Sequence, residues 1–572
     1  MTGDDKSLAT PFQRWVTRSQ ALSDQRRYEM GIPMRDGVEL AADVYLPRES
    51  DAGPVPAIVQ ITPYGKDQAS LTADEALLYQ SNGFAFIAID CRGRGKSEGL
   101  WDGFTNDAKD TYDAIEWAAT QSWCNEKVGT TGLSYMGWVQ WAGASLAPPH
   151  LKAMISTSAA GRWQQEIPYT NGVFQLYFAW WAYLTRRRIG ESYGLAQIDW
   201  DEALARLPFT SIGDVVDTPT NIWNNLMDHD TLDDYWKKLR FDDMYDEIDV
   251  PCLHVTGWYD QEDLLGAFHH YEHMRAASPA KNEQYLIVGP WSHVKSRNPD
   301  RFYADIDFGP DAALDMDAEH LRWFNYWLKG ERNGVDEVDR VRIFEPGKNT
   351  WRHTSHWPLS NATTTLFLGR EQLLEVAPSE ASRTDYTYDP LDPVPTGIDV
   401  RRYPVQDNPL NQTDVEERDD VVTFTSETLS EALTISGWAR FQFYGSSDCD
   451  DTDWHIKITD VAPDGRSNRV TQGCLRAACR ESLEVLSALM PNEVYLFDVE
   501  MWPTHHVFQP GHSIRVSVTS SDFPWYARSL NRFGSVRDQS EVRTARNSVW
   551  HGGRYPSRIV MPSEDHSSIS AQ

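Results

Sequence analysis

Two uninterrupted apolar runs, Pro56 to Thr62 and Phe84 to Asp90, constrain this chain more than any other feature. A half-buried strand alternates apolar and polar positions. A run that is apolar throughout must be buried on both faces, the situation of strands in a parallel sheet. Between the runs, Ala73 to Ser81 reads as a helix, and the alternation continues. Asp107 to Thr120 predicts a second helix, Val128 to Thr131 a short strand, Met136 to Leu146 a Gly- and Ala-spaced helix, and Leu151 to Ser156 a further strand. Strands alternating with helices imply a parallel sheet in an α/β fold. Met34 to Gly37 predicts a hairpin turn ahead of it, followed by the alternating Val38 to Leu46.

The pattern then changes twice. From about residue 160 to 248 the chain reads as helical and aromatic, with Trp163, Phe174, Tyr177, Trp180, Trp181, Trp200, Trp223 and Trp236. Strand signals return at Pro251 to Thr256 and Glu283 to Gly289. A helical insertion between strands of one sheet predicts a cap over the strands' C-terminal ends, where open α/β sheets bind ligands. Beyond about 350, short alternating segments (Ala432 to Tyr444, Trp454 to Val461, Val494 to Met501, Ser513 to Thr519) lie between Gly, Pro, Asp and Asn turns. They predict an antiparallel β-sandwich of jelly-roll type. The acidic stretch Asp414 to Asp420 reads as a solvated loop.

A chain of 572 residues is too long for one core. Its 53 Lys and Arg against 84 Asp and Glu give a net charge of −31, which repels nucleic acid and anionic lipid. No apolar run approaches the roughly 18 residues of a membrane span. Met1 to Phe12 is polar, without the pattern of a secretory signal. Cys91, Cys124, Cys252, Cys449, Cys474 and Cys479 are scattered, and a cytoplasmic chain with free thiols is the simplest expectation.

The chemistry is carried by three strand ends. Val128 to Gly137 runs strand, tight turn, helix, with Ser134 at the turn. Such an elbow lifts a hydroxyl above the sheet and aims a helix N-terminus at it. The usual elbow is G-x-S-x-G; here Gly132 is present, Met136 replaces the second glycine, and Gly137 comes one residue late. A serine among glycines is more often a plain turn, so its partners decide. An acid and then a histidine must follow, each after a strand. Pro251 to Asp260 ends a strand with a carboxylate, and Gln284 to His293 ends the next with an imidazole. The roles follow: His293 takes the Ser134 proton and later protonates the leaving group, while Asp260 holds the imidazole tautomer.

Gly132-Leu-Ser-Tyr-Met-Gly137, Gly257-Trp-Tyr-Asp260 and Gly289-Pro-Trp-Ser-His293 resemble cocaine esterase, the α-amino acid ester hydrolases and, more distantly, the X-prolyl dipeptidyl peptidases. The longer elbow is that family's own form. Arg35 to Tyr45, Asp90 to Gly99, Asp448 to Trp454 and Pro510 to Arg515 extend the resemblance over nearly the whole chain. It implies an α/β-hydrolase core over 1–148 and 249–350, a helical cap over 149–248 and a jelly roll over 351–572. It implies that the Tyr64 hydroxyl and the Tyr135 backbone N–H receive the oxyanion. No cofactor is expected, since no cluster of His, Cys and carboxylates has convincing ligand spacing. In the α-amino acid ester hydrolases, carboxylates matching Glu262 and Asp263, with a third from the cap, bind the substrate's α-ammonium. Glu166 stands in roughly the right cap region for that third acid, without a local match. The plainer reading is that Glu262 and Asp263 sit where a helix dipole favours acids. Relatives also suggest self-association.

Two signals carry less. His269-His-Tyr-Glu-His273 has the H-x-x-E-H pattern of a zinc helix, but no third ligand is evident, and a surface helix with ordinary histidines is expected. Gly95-Lys96-Ser97 resembles a phosphate loop, but Asp90 stands where that motif needs glycine. The expected protein is therefore a metal-independent serine hydrolase of small-molecule esters or amides. A plain carboxylesterase, an X-prolyl dipeptidyl peptidase-like enzyme, an acyltransferase using the same triad and a catalytically dead binding protein are the alternatives.

Overall fold

The computed structural model describes residues 26–67, 70–190, 194–217, 220–399 and 407–564; Met1 to Phe12 lies outside them. The chain forms two compact units. The first comprises Met1–Ile155, Arg187–Gly190 and Asp317–Val335, and the second Ser156–Arg186, Glu191–Met316 and Asp336–Gln572.

In the first unit, β1 (Arg27–Pro33) and β2 (Glu39–Tyr45) form the predicted hairpin, closed by Met34 N–H donating to Val38 O at 2.8 Å. With β3 (Val55–Thr62), β4 (Ala85–Asp90), β5 (Cys124–Leu133) and β6 (Leu151–Thr157) the strand order is β1-β2-β4-β3-β5-β6. β4, β3 and β5 are parallel, and β2 joins β4 antiparallel. The two continuous apolar runs are β3 and β4, buried at every position. The helices α1 (Ser70–Ser81), α2 (Asp107–Ala119) and α3 (Tyr135–Ala144) fall between strands as expected. The helix Met316–Lys329 lies, from Asp317 on, in this unit. Its Phe324 and Leu328 press on β5 so closely that a Cβ at Gly129 would lie 2.7 Å from the Phe324 ring.

The second unit opens with a small hairpin, β7 (Tyr169–Thr170) and β8 (Val173–Phe174), so this region is not helical throughout. Among the described residues, five short α-helices follow, from Phe178–Leu184 to Asp234–Lys237. Aromatic packing holds them: Trp163 stacks on Trp236 with centroids 5.2 Å apart. Next come β9 (Cys252–Gly257), α4 (Leu264–Ala277), β10 (Gln284–Gly289), the short pair β11 (Phe302–Tyr303) and β12 (Ile306–Asp307), β13 (Val341–Glu345) and β14 (Thr350–Thr354). β9, β10 and β13 are parallel; β14 turns back antiparallel.

Among the described residues, eleven strands from Thr363–Leu368 to Arg558–Pro562 then form one hydrogen-bonded network. The predicted strands are among them, as Leu433–Ser447, Asp453–Val461, Tyr495–Phe508 and Ser513–Thr519. Phe441, Phe443, Trp454, Phe497 and Val516 fill their core. The stretch Asp414 to Asp420 is only in part a solvated loop: Asp414, Glu417 and Asp419 are exposed, but Asp420 and the Glu416 side chain are buried. It begins with a helical turn, Thr413–Glu416, and the buried Glu416 carboxylate accepts from Arg515 Nη1 (2.7 Å), Ser467 Oγ (3.0 Å) and Thr459 Oγ1 (3.1 Å). All six cysteines are unpaired and buried. Among the described residues no helix is long and apolar enough to cross a membrane.

Candidate active site

The first unit carries Ser134, Tyr135 and Tyr64. Ser134 ends β5 and starts α3 with φ 64° and ψ −127°, a conformation that costs a non-glycine residue on the order of 1–3 kcal/mol. Gly132 makes the elbow possible, because a Cβ there would lie 2.5 Å from Met136 Cβ and 2.6 Å from its carbonyl oxygen. Tyr135 is the first residue of α3, so its N–H belongs to the positive end of that helix. Its side chain points down as an anchor. The hydroxyl donates to Asp107 Oδ2 and accepts from Phe104 N–H, both at 2.9 Å. Burial pushes the Asp107 carboxyl up to about 7.

Tyr64 follows β3 in a half-buried turn. Its N–H donates to Thr62 Oγ1 (3.1 Å), and its carbonyl accepts from Gly190 N–H (2.7 Å). Gly190 belongs to the short stretch Arg187–Gly190, which lies on the same loops. Arg188 Nε donates to Gly95 O at 2.9 Å, and Arg94 Nη1 donates to Arg187 O. The loop resembling a phosphate cradle wraps an anion of its own. Asp90 accepts from Lys66 N–H (2.7 Å) and Lys96 N–H (3.0 Å), and a Cβ on Gly95 would strike its carboxylate.

The second unit carries Asp260, His293, Glu262, Asp263 and Glu166. The loops leaving β9 and β10 are interlocked: Trp258 N–H donates to Gly289 O (2.9 Å) and Tyr259 N–H to Trp291 O (3.1 Å). Trp291 lies across both glycines, since a Cβ at Gly257 would be 2.1 Å from its carbonyl oxygen and one at Gly289 2.2 Å from its indole. This packing brings the two loop ends together. His293 Nδ1 lies 3.1 and 3.2 Å from the Asp260 oxygens, and because a carboxylate only accepts, Nδ1 carries the proton. Asp260 Oδ1 also accepts from Glu262 N–H (3.0 Å) and Asp263 N–H (3.2 Å), and Ser158 donates to the same carboxylate. Burial alone would raise Asp260, but His293 and these donors hold it below the usual carboxylate range.

Glu262 and Asp263 face the same imidazole. Glu262 Oε1 lies 3.9 Å from His293 Nε2, and Asp263 Oδ2 lies 4.0 Å from Nδ1. Asp263 occupies the N-cap position of α4 without a side-chain capping bond, so helix capping does not account for it. Burial pushes Glu262 up to about 7 and, with neighbouring acids adding to it, Asp263 well above its ordinary value. Burial pulls His293 down, yet Glu262, Asp260 and Asp263 overcome it and raise the imidazole to about 10. Glu166 is fully buried beside them, and burial lifts it to about 7. Its oxygens accept from the N–H groups of Gly161 (3.0 Å), Arg162 (3.2 Å) and Gly266, tying the chain after β6 to α4.

Sequence reasoning missed two groups here. Tyr177 donates its hydroxyl to Glu262, and Ser158 links Asp260 to Ser296 Oγ at 2.8 Å. Tyr177 was one aromatic among many, and Ser158, at φ 43°, had no motif around it. The helix of the H-x-x-E-H pattern is not a surface helix. His269 and His270 are buried, and Asp242 supplies an acid next to His269.

Comparison with known proteins shows the family. The family model for X-Pro dipeptidyl-peptidase (S15 family) matches residues 36–295, and that for the X-Pro dipeptidyl-peptidase C-terminal non-catalytic domain matches 333–560. Cocaine esterase of Rhodococcus sp. (strain MB1 Bresler) is 31% identical over 573 residues, covering 93% of this chain and 97% of that protein. An α-amino acid ester hydrolase structure superposes with a TM-score of 0.85 at 25% identity, covering 99% of this chain and 100% of the other. An aminopeptidase from a marine sediment Thaumarchaeota archaeon shares the fold at a TM-score of 0.86 and 24% identity, covering 99% of each chain. The fold is thus an α/β-hydrolase core with an inserted cap and a C-terminal all-β jelly-roll domain. The chain belongs to the serine hydrolase family of cocaine esterase, the α-amino acid ester hydrolases and the X-Pro dipeptidyl-peptidases.

Proposed function

We propose that this protein hydrolyses carboxylic esters or amides through an acyl-enzyme on Ser134, with preference for acyl groups bearing a free α-ammonium. Ser134 Oγ attacks the carbonyl carbon as His293 Nε2 takes its proton, and Asp260 steadies the imidazolium. The Tyr135 N–H and the Tyr64 hydroxyl receive the oxyanion. Collapse of the tetrahedral intermediate expels the alcohol or amine, which takes the proton from His293. Water then repeats the cycle on the acyl-enzyme and frees Ser134.

The observation carrying the amine preference is the buried acid cluster of Glu262, Asp263 and Asp260 around one imidazole. Carboxylates crowded enough to raise one another's pKa are relieved by a cation, which an α-ammonium supplies. The net charge of −31 and the free thiols support a small-molecule substrate and a reducing, cytoplasmic setting. The likeness to cocaine esterase favours a second reading, a plain carboxylesterase in which these acids only tune His293.

The test is a set of paired esters, such as glycine and phenylglycine esters against their N-acetylated or desamino counterparts. Faster cleavage of the free amines, with Ser134→Ala lowering kcat by about 10⁴-fold or more, is expected. Equal rates on both members of each pair leave the plain carboxylesterase. More than a tenth of activity retained in Ser134→Ala overturns the nucleophile. An aminolysis product exceeding hydrolysis identifies an acyltransferase.

A further inference from the structure

Helix α4 carries His269 and His273 one turn apart on one face, as their spacing of four residues requires. Their rings lie 3.9 Å apart between centroids. Asp242, from the segment that precedes β9, meets them: His269 Nε2 lies 2.7 Å from Asp242 Oδ1. Ligand atoms of the three residues all lie within 4.8 Å of one another. We infer that Asp242, His269 and His273 form a binding site for a borderline divalent transition-metal ion of the Zn²⁺ class, clamping the Asp242 segment to α4.

The donor chemistry fits. Two imidazoles and one carboxylate are a common zinc set, and they leave a fourth position for water. Zinc bonds of about 2.0–2.2 Å place tetrahedral ligand atoms about 3.4 Å apart, so the triangle has to contract by no more than about 1.5 Å. His269 is buried and fixed, while Asp242 is exposed and His273 partly so, and these two side chains can turn inward. The surroundings already orient the ligands. His273 Nδ1 donates to His269 O at 2.8 Å, which leaves its Nε2 with a free lone pair. Arg240 Nε holds Asp242 Oδ2 at 2.6 Å and turns Oδ1 toward His269. Glu272 plays no part, because its carboxylate accepts from Trp438 Nε1 at 2.9 Å. The site therefore lacks the acid that a zinc hydrolase of H-x-x-E-H type uses as a base, and the ion's role is to clip two segments of the second unit together.

The full-length chain, stripped with a chelator and reloaded in micromolar Zn²⁺, is expected to retain one ion after desalting and to melt at a higher temperature than the stripped form. Co²⁺ loading should give the visible absorption of a low-coordinate site. Loss of outer-shell partners weakens metal sites about 10–100-fold, so loss of a direct ligand in Asp242→Asn or His273→Gln should weaken binding by at least about 100-fold and abolish the melting shift. His229→Gln, elsewhere in the same unit, should bind as wild type. His269→Ala also removes a buried side chain, so the two more exposed variants decide the question. Zn²⁺ uptake and melting shift unchanged in Asp242→Asn and His273→Gln, or no uptake by the wild-type chain, overturn the site.

Discussion

His293 is the residue whose surroundings speak most directly about turnover. Its imidazole is buried, which opposes charge, but Glu262, Asp260 and Asp263 raise it to about 10. A general base works only when neutral, so in the free enzyme kcat/KM should climb with pH through the basic range toward that value. Glu262→Gln with Asp263→Asn removes two of the three raising charges, and the climb should move to lower pH. A substrate ammonium seated among the acids does similar work, so the kcat profile should also lie at lower pH than that of kcat/KM. A double variant whose kcat/KM profile coincides with wild type would show that these acids do not govern His293. Tyr64 gives a second test at this scale. An oxyanion donor acts in the transition state and is worth about 3 kcal/mol, so Tyr64→Phe should cut kcat by about 10²-fold with KM nearly unchanged. Wild-type kcat in that variant would leave the oxyanion to backbone groups.

At the scale of elements, the loops after β9 and β10 behave as one piece, because Trp291 packs over Gly257 and Gly289 and closes both. Gly257→Ala would place a methyl 2.1 Å from the Trp291 carbonyl oxygen, which must shift, taking His293 and Asp260 with it. Overpacking of this kind costs about 1–3 kcal/mol, read as a lower urea midpoint, and activity should fall further than stability alone explains. An unchanged midpoint would mean that the loops yield freely. The same elements show what a sequence makes legible. β3 and β4 were readable because burial on both faces leaves no polar position. Asp260 and His293 stood out as candidates because each follows such a strand, and Ser134 because it sits at a Gly-flanked turn between a strand and a helix. What escaped depends on partners distant in the chain. Glu416 read as solvated because Arg515, Ser467 and Thr459 lie far along the sequence, and Asp242 went unnoticed as a neighbour of His269, 27 residues away. Helix Met316–Lys329 was missed although its apolar residues fall on one face.

At the scale of the molecule, the jelly roll is not an appendage to the strands that carry the acid and the base. The core around β9 and β10 holds Trp258, Phe268, Leu286 and Val288, and the same cluster contains Trp357, Leu410 and Trp502 from beyond residue 350. Trp258 packs on Trp357 with centroids 5.6 Å apart, and Phe268 on Trp357 at 5.0 Å. Polar ties run the same way: Arg162 Nη1 meets Glu500 at 2.6 Å, and His505 lies 3.1 Å from Glu345. A chain ending at residue 350 would therefore expose several large aromatic faces at once. Removing one such side chain from a core costs about 3–5 kcal/mol, against a typical total stability of about 5–15 kcal/mol. The truncated chain should aggregate or bind a hydrophobic dye such as ANS, and it should not hydrolyse p-nitrophenyl esters. The milder variant Trp357→Ala, which leaves every strand in place, should lower the melting temperature of the full-length protein and reduce activity. Its readout is separable from the chemistry, because a Trp357 side chain that only supports β9 and α4 leaves the pH profile of the surviving activity unmoved. A monomeric, cooperatively melting chain of residues 1–350 would show that these strands close their own core, and that the aromatic residues beyond 350 merely cover it.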